Sequence, residues 1–232
     1  MRYVRAAAAL LFVLLVPVFL VTTNVRWVIN FPPLYSYGFS RYDIPNYTGI
    51  EMEELLSAGR QIRDYFNNDE EWLDVQVVVG GVIRRLYNSR EIVHMRDVKG
   101  LVQGVYRAQV LTGTYLLAFA VVGLAFEGRS FARELLRYVR RGGLLTLGLV
   151  GAVGVAAAVG FDQLFLLFHI ISFANDFWQL DPRRDYLIAM FPQGFFFDAT
   201  MLIALSTVVE AALLAFLPRI LGRRRRPEPA PA

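Results

Sequence analysis

Cysteine is absent from the 232 residues, which excludes a disulfide framework, a thiolate metal site, a lipidated cysteine and a thiol nucleophile. Histidine occurs only as His94 and His169, so these are the only side chains that titrate near neutrality without perturbation. Lysine occurs once, as Lys99, against 23 arginines. Neither GxSxG nor HExxH is present, and two histidines without further ligands make a poor metal site; no metal and no cofactor are expected. Charge is also scarce. Charged residues make up 19% of the chain, hydrophobic residues 56%, and the mean hydropathy is +0.42, which excludes a soluble cytosolic enzyme.

The hydrophobic residues are gathered into long runs. A membrane-crossing helix needs about 20 uncharged residues, because hydrocarbon offers ions and open backbone groups no partners. Ala6 to Val25, Ala108 to Phe126 and Gly142 to Phe161 meet that condition, and Ala199 to Pro218 meets it except for Glu210 near its middle. The sequence therefore predicts an α-helical integral membrane protein forming a single membrane domain over residues 1–232. Its four transmembrane helices are expected at about 6–27, 105–127, 142–162 and 198–218. The first run is followed by TTNVRWVIN with no small-residue cleavage site, so it reads as an uncleaved anchor.

Arginine fixes the expected orientation, since short cytoplasmic loops retain basic residues. Residues 127–141 hold five arginines and two glutamates, and Arg223 to Arg226 follow the last run. Residues 31–104 carry 11 acids and 8 bases, and residues 162–198 carry five acids and two arginines. Both termini are expected in the cytoplasm, with extracytoplasmic regions at about 28–104 and 163–197 and a basic cytoplasmic tail at 219–232. Both histidines fall on the outer side.

The first outer region reads as a small α+β cap. Phe31 to Tyr47, rich in Pro, Tyr and Gly, is expected to be irregular, and Thr48 to Glu51 has capping-box spacing before an amphipathic helix carrying Leu55, Ile62 and Phe66. Trp72 to Val79 alternates apolar and polar residues, and Gly80-Gly81 suggests a hairpin turn. Ser89 can cap a helix over REIVHMRDVKG that continues through Gly100 and Gly104. In the third run Gly148, Ala152, Ala156 and Gly160 form a flat stripe that another helix or a lipid chain can approach closely, with helix packing the favoured use.

Within the REIVHMRDVKG helix His94 and Asp97 share a face, and an i, i+3 carboxylate can orient an imidazole and favour its protonated form. Lys99 lies five residues beyond His94 as the one compact ammonium in an arginine-rich chain. FDQLFLLFHIISF places Asp162, Phe165, Leu166 and His169 near one face, with His169 among large apolar side chains that favour a neutral ring. Beyond it Asn175, Asp176, Trp178, Asp181 and Asp185 are candidates for supporting the histidines or positioning a substrate. For each of these the plainer reading stays open: a helix neighbour, an interior histidine, a loop cap or an interfacial aromatic.

EIVHMRDVKG and FHIISFANDFWQLDPRRDYLIAMFPQGFFFDA resemble the two signature blocks of the bacterial lipoprotein intramolecular transacylase family, as does the four-helix layout; the hairpin region and tail match only loosely. The resemblance implies an acyltransferase of the bacterial plasma membrane, with its site facing the extracytoplasmic side. Its substrate would be a diacylglyceryl-modified lipoprotein, whose sn-2 acyl chain moves to the amino group of its own N-terminal cysteine to give the lyso form. The implied partners are that lipoprotein and membrane lipid, with no nucleic acid. The family's two functionally implicated histidines fall on His94 and His169. An amine attacking an ester on the same residue needs positioning and proton transfer more than an enzyme nucleophile. The expected division makes His94 with Asp97 the base and His169 the donor to the oxyanion or leaving oxygen, with exchange of the two roles left open. The alternative is a non-enzymatic membrane scaffold or partner subunit whose outer cap binds another protein.

Overall fold

The structure, a computed structural model, describes residues 2–223. Most of the basic tail expected at 219–232 therefore lies outside the described residues. Helix α1 covers Arg2–Ile29, and three short helices follow at Pro32–Arg41 (α2), Ile44–Thr48 (α3) and Met52–Phe66 (α4). A β-hairpin, Gln76–Val79 (β1) and Val82–Arg85 (β2), leads into α5, Ser89–Ser172, and then into α6, Tyr186–Met190, and α7, Gln193–Arg223. Among the described residues three helices are long and apolar enough to cross a membrane, Arg2–Ile29, Ser89–Ser172 and Gln193–Phe216.

Although α5 is unbroken by backbone hydrogen bonding, it is not straight. At a rise of 1.5 Å per residue, Phe119 and Tyr138 would stand about 28 Å apart, yet their ring centroids lie 6.1 Å apart, and Phe119 also meets Phe131 at 5.5 Å. The reversal falls at Gly128, whose φ of 59° is left-handed backbone that glycine adopts without a Cβ penalty. The connection expected over 127–141 thus shrinks to a tight turn, and Arg129 to Arg141 are helical. Arg5 clasps that end, its guanidinium 2.9 Å from Glu127 and 2.6 Å from Glu134.

The chain folds as two compact units. The first takes residues up to Asn24, Arg107–Val155 and those from Ile203 onward. Its core is Phe12, Val16, Leu20 and Ala211, flanked by Phe119, Leu135 and Tyr138. The small-residue stripe does not serve this packing as expected: a Cβ on Gly148 would meet nothing within 4 Å. Close approach occurs instead at Gly143, where a Cβ would lie 2.7 Å from the Ala211 carbonyl oxygen and 2.9 Å from the Ala215 nitrogen. Glu210 has a partner in the same unit, since the Asn24 amide donates to its carboxylate at 2.7 Å and also reaches Thr207 Oγ1 at 3.2 Å.

The second unit, Val25–Tyr106 and Ala156–Leu202, holds α2 to α4, the hairpin, both histidines and α6. Phe31 to Tyr47 is mostly helical rather than irregular: prolines open α2 and take the second position of α3, where the missing N–H has no intrahelical acceptor to lose. Thr48 does not cap α4. Its hydroxyl donates to the Ile44 carbonyl, and α4 starts at Met52 with no side-chain cap. The hairpin turns at Gly80 and Gly81, with φ of 60° and 80°, pairing Val79 with Val82.

Asn88, not Ser89, caps α5: its side chain accepts from the Arg90 and Glu91 N–H groups, and Glu91 returns a bond to the Asn88 N–H. Glu91 is fully buried and also accepts from the Leu187 N–H at 2.6 Å, fastening α6 to the start of α5. Burial raises its carboxyl above the usual range, opposed by these two backbone bonds.

Candidate active site

His94 and His169 stand 75 residues apart on α5, a separation of about 112 Å along a straight helix. In the structure their rings stack, with centroids 6.3 Å apart and planes inclined by 29°. The reversed course of α5 carries both into the second unit, where they are 7% and 8% exposed.

Aromatic rings enclose the pair. Phe173 lies 5.0 Å from His94 and 5.6 Å from His169, Trp178 lies 5.1 Å from His169, and Phe165 lies 4.4 Å from His169. His169 Nδ1 is 2.7 Å from the Phe165 carbonyl oxygen. A carbonyl can only accept, so Nδ1 carries the proton, and in a neutral ring Nε2 then presents a lone pair. His94 Nδ1 is buried with no hydrogen-bond partner among the described residues. Burial, followed by the neighbouring His169, pulls the His94 pKa down to about 4, against a smaller opposing influence of Asp97.

The expected carboxylate–imidazole bond does not form. Asp97 accepts from the Asn175 amide at 2.8 Å, so its effect on His94 is that of a nearby charge. The physical reason is reach: the segment after α5 brings Asn175 to the face that Asp97 shares with His94, and the amide takes the carboxylate. Arg90, one turn before His94, donates to the Asp176 carbonyl and stacks over Phe177 at 5.8 Å. Residues 90, 94 and 97 of α5 thus hold the segment from Phe173 to Phe177 at three points.

The other candidates make hydrogen bonds elsewhere in the second unit. Lys99 donates to Asn68 Oδ1 at 2.9 Å and to the Glu70 carbonyl, with its ammonium 4.0 Å from the Tyr65 ring. Asp162 accepts from Gln193 at 3.0 Å, and the Asp176 carboxylate from Gln179 at 3.3 Å. Asp181 accepts from the Arg183 N–H at 3.0 Å, while Asp185 accepts from Asn88 at 2.8 Å and from the Asp181 N–H at 2.7 Å. Of the residues singled out in the sequence, His94, Phe165, His169 and Trp178 converge, and Asp97 with Asn175 stands beside them. Phe173 and Arg90 were not singled out; the i, i+4 spacing of Arg90 to His94 was a usable signal, whereas nothing local marks Phe173. Among the described residues no group of three or more His, Asp or Glu side chains could hold a metal ion.

Long apolar helices, a small α+β part and a stacked histidine pair in an aromatic cage define a helical protein of the membrane class. The family model for lipoprotein intramolecular transacylase Lit matches residues 10–196, and the chain belongs to that family. The solved structure of the membrane-integral Lit from Bacillus cereus superposes with a TM-score of 0.82 at 20% identity, covering 97% of this chain and 99% of that one. A variant of the same Bacillus cereus protein with one histidine changed to alanine gives a TM-score of 0.77 at 19% identity, over 97% and 96% of the two chains. An uncharacterized protein of Aquifex aeolicus (strain VF5) is 25% identical over 193 residues, 82% of each chain. The protein is a multi-pass membrane protein of the lipoprotein transacylase family.

Proposed function

We propose that this protein moves the sn-2 acyl chain of a diacylglyceryl-modified lipoprotein onto the α-amino group of that lipoprotein's N-terminal cysteine. The observation that carries the reading is the convergence of the only two histidines, within 6.3 Å, inside an aromatic cage in a member of this family.

In the proposed step the neutral amine attacks the ester carbonyl carbon, forming a C–N bond and a tetrahedral oxyanion. His169 Nε2 takes the amine proton, and its Nδ1–H stays bonded to the Phe165 carbonyl, which holds the ring in place. Neutral His94, whose low pKa keeps it uncharged at working pH, donates an N–H to the oxyanion. Collapse breaks the C–O bond to glycerol, and His169 returns its proton to that oxygen. The division of labour is therefore the exchanged one, His169 as base and His94 as hydrogen-bond donor. Phe173 and Trp178 exclude water, which would hydrolyse the ester, and Asp97–Asn175 positions the segment carrying them.

We assign four crossings within a single membrane domain, at about 6–27 in α1, 105–127 and 142–162 in the two arms of α5 on either side of Gly128, and 198–218 in α7. The arginine asymmetry supports cytoplasmic termini and an extracytoplasmic site, the side on which a lipidated N-terminus is displayed. Expression in a host that makes diacylglyceryl lipoproteins tests the reading by mass spectrometry of lipoprotein N-termini. N-acylated lyso-lipoprotein is expected with the chain and not without it; unchanged N-termini at normal expression would contradict the activity.

A further inference from the structure

A pocket of about 360 Å³ opens between α3 and the turn before α6; Tyr47, Arg183, Arg184 and Tyr186 line it, together with Asp185, whose carboxylate is taken by the Asn88 amide and the Asp181 N–H. Residues 162–198 hold five carboxylates and only two cations, Arg183 and Arg184. All five carboxylates accept hydrogen bonds from neutral groups. Four are described above, and Asp198 takes the hydroxyls of Tyr42 at 2.8 Å and Tyr37 at 3.1 Å. The acids are committed elsewhere, so neither guanidinium has an ion pair or hydrogen bond among the described residues.

The backbone beneath them is well fixed. Asp181 accepts from the Arg183 N–H through its carboxylate and from the Arg184 N–H through its carbonyl at 2.9 Å, and Tyr47 donates to the Pro182 carbonyl at 3.2 Å. Two adjacent, exposed guanidinium forks on a hydrogen-bonded turn, lining one concavity, carry the chemistry that pairs with phosphate oxygens. We infer that this pocket binds the phosphodiester of an anionic phospholipid headgroup. A lipid source fits better than a soluble phosphate for two reasons. Tyr47 and Tyr186 line the pocket as exposed amphipathic rings of the kind that sit at headgroup level. The apolar run of α7 also begins at Ala199, ten residues beyond Ala189 in the pocket wall. The inference rests on the membrane assignment and not on transacylation, so either can fail without the other.

Native mass spectrometry of the full chain released from micelles tests it, with phosphatidylglycerol and phosphatidylcholine of identical acyl chains supplied in equal amounts. Wild type is expected to retain phosphatidylglycerol over phosphatidylcholine by about tenfold, and Arg183→Gln/Arg184→Gln to retain the two equally. The charge-keeping variant Arg183→Lys/Arg184→Lys should keep a weakened preference, and circular dichroism checks that each variant is folded. Equal retention of the two lipids by wild type, or an undiminished preference in the folded Gln variant, would overturn the inference. Saturable binding of inorganic phosphate without any phosphatidylglycerol preference would overturn the lipid assignment in favour of a soluble phosphate ester.

Discussion

At the scale of single residues, the buried His94 ring gives a pH signature. Its folded value near 4 lies below the ordinary 6.5, so between those values the unfolded chain binds more protons than the folded one. Stability due to neutral His94 is complete above about pH 6.5 and falls away as pH drops towards 4. Thermal midpoints of wild type and His94→Gln between pH 8 and 4 check this: the wild-type decline across that window should exceed the variant's, and parallel declines would contradict it. Lys99 makes a different prediction. It ties Asn68 and Glu70 to α5 rather than facing the histidines, so Lys99→Met is expected to lower the melting temperature while the variant that folds keeps its turnover. A variant of normal stability and lost turnover would return Lys99 to the site. The two histidines were legible in the sequence because the chain has no others. Their surroundings were not: Asp97 meets Asn175 across 78 residues, and no local spacing encodes which donor reaches a carboxylate first.

At the scale of elements, glycine positions separate what the sequence suggests from what packing uses. A run of small residues every four positions predicted close approach at Gly148, yet that position faces open space and Gly143 meets the backbone of α7. Gly143→Ala should destabilise the protein by about 1–3 kcal/mol and Gly148→Ala by far less, as measured by chemical unfolding in micelles. Equal effects would contradict the packing described. The hairpin was legible because Gly-Gly turns have one dominant use, and continuity of α5 through Gly100 and Gly104 was legible from the helix over REIVHMRDVKG that leads into the next apolar run. The cap at Asn88, the proline-started α2 and the tightness of the turn at Gly128, expected as a connection over 127–141, were not. In each case one residue's neighbours decide between a helix and a loop, and composition averages over them.

At the scale of the whole molecule, the count of apolar runs and the arginine asymmetry make one topological prediction. Reporter fusions should place the Gly128 turn in the cytoplasm and the β-hairpin outside, because five arginines lie within residues 127–141. A turn reported outside would remove the extracytoplasmic site. Membrane character was legible from composition alone, and the four runs map onto α1, the two arms of α5 and α7. What composition could not supply was the meeting of two imidazoles 75 residues apart, which depends on the length of both α5 arms and the place of the turn between them.

The most direct test of a shared reacting centre is the rate of lyso-lipoprotein formation by His94→Ala, His169→Ala and the double variant, each reconstituted at wild-type abundance. Two groups acting on one tetrahedral intermediate should give singles that each lose nearly all activity and a double variant scarcely slower than either. Independent losses that multiply in the double variant, or a single variant with wild-type rate, would contradict the account.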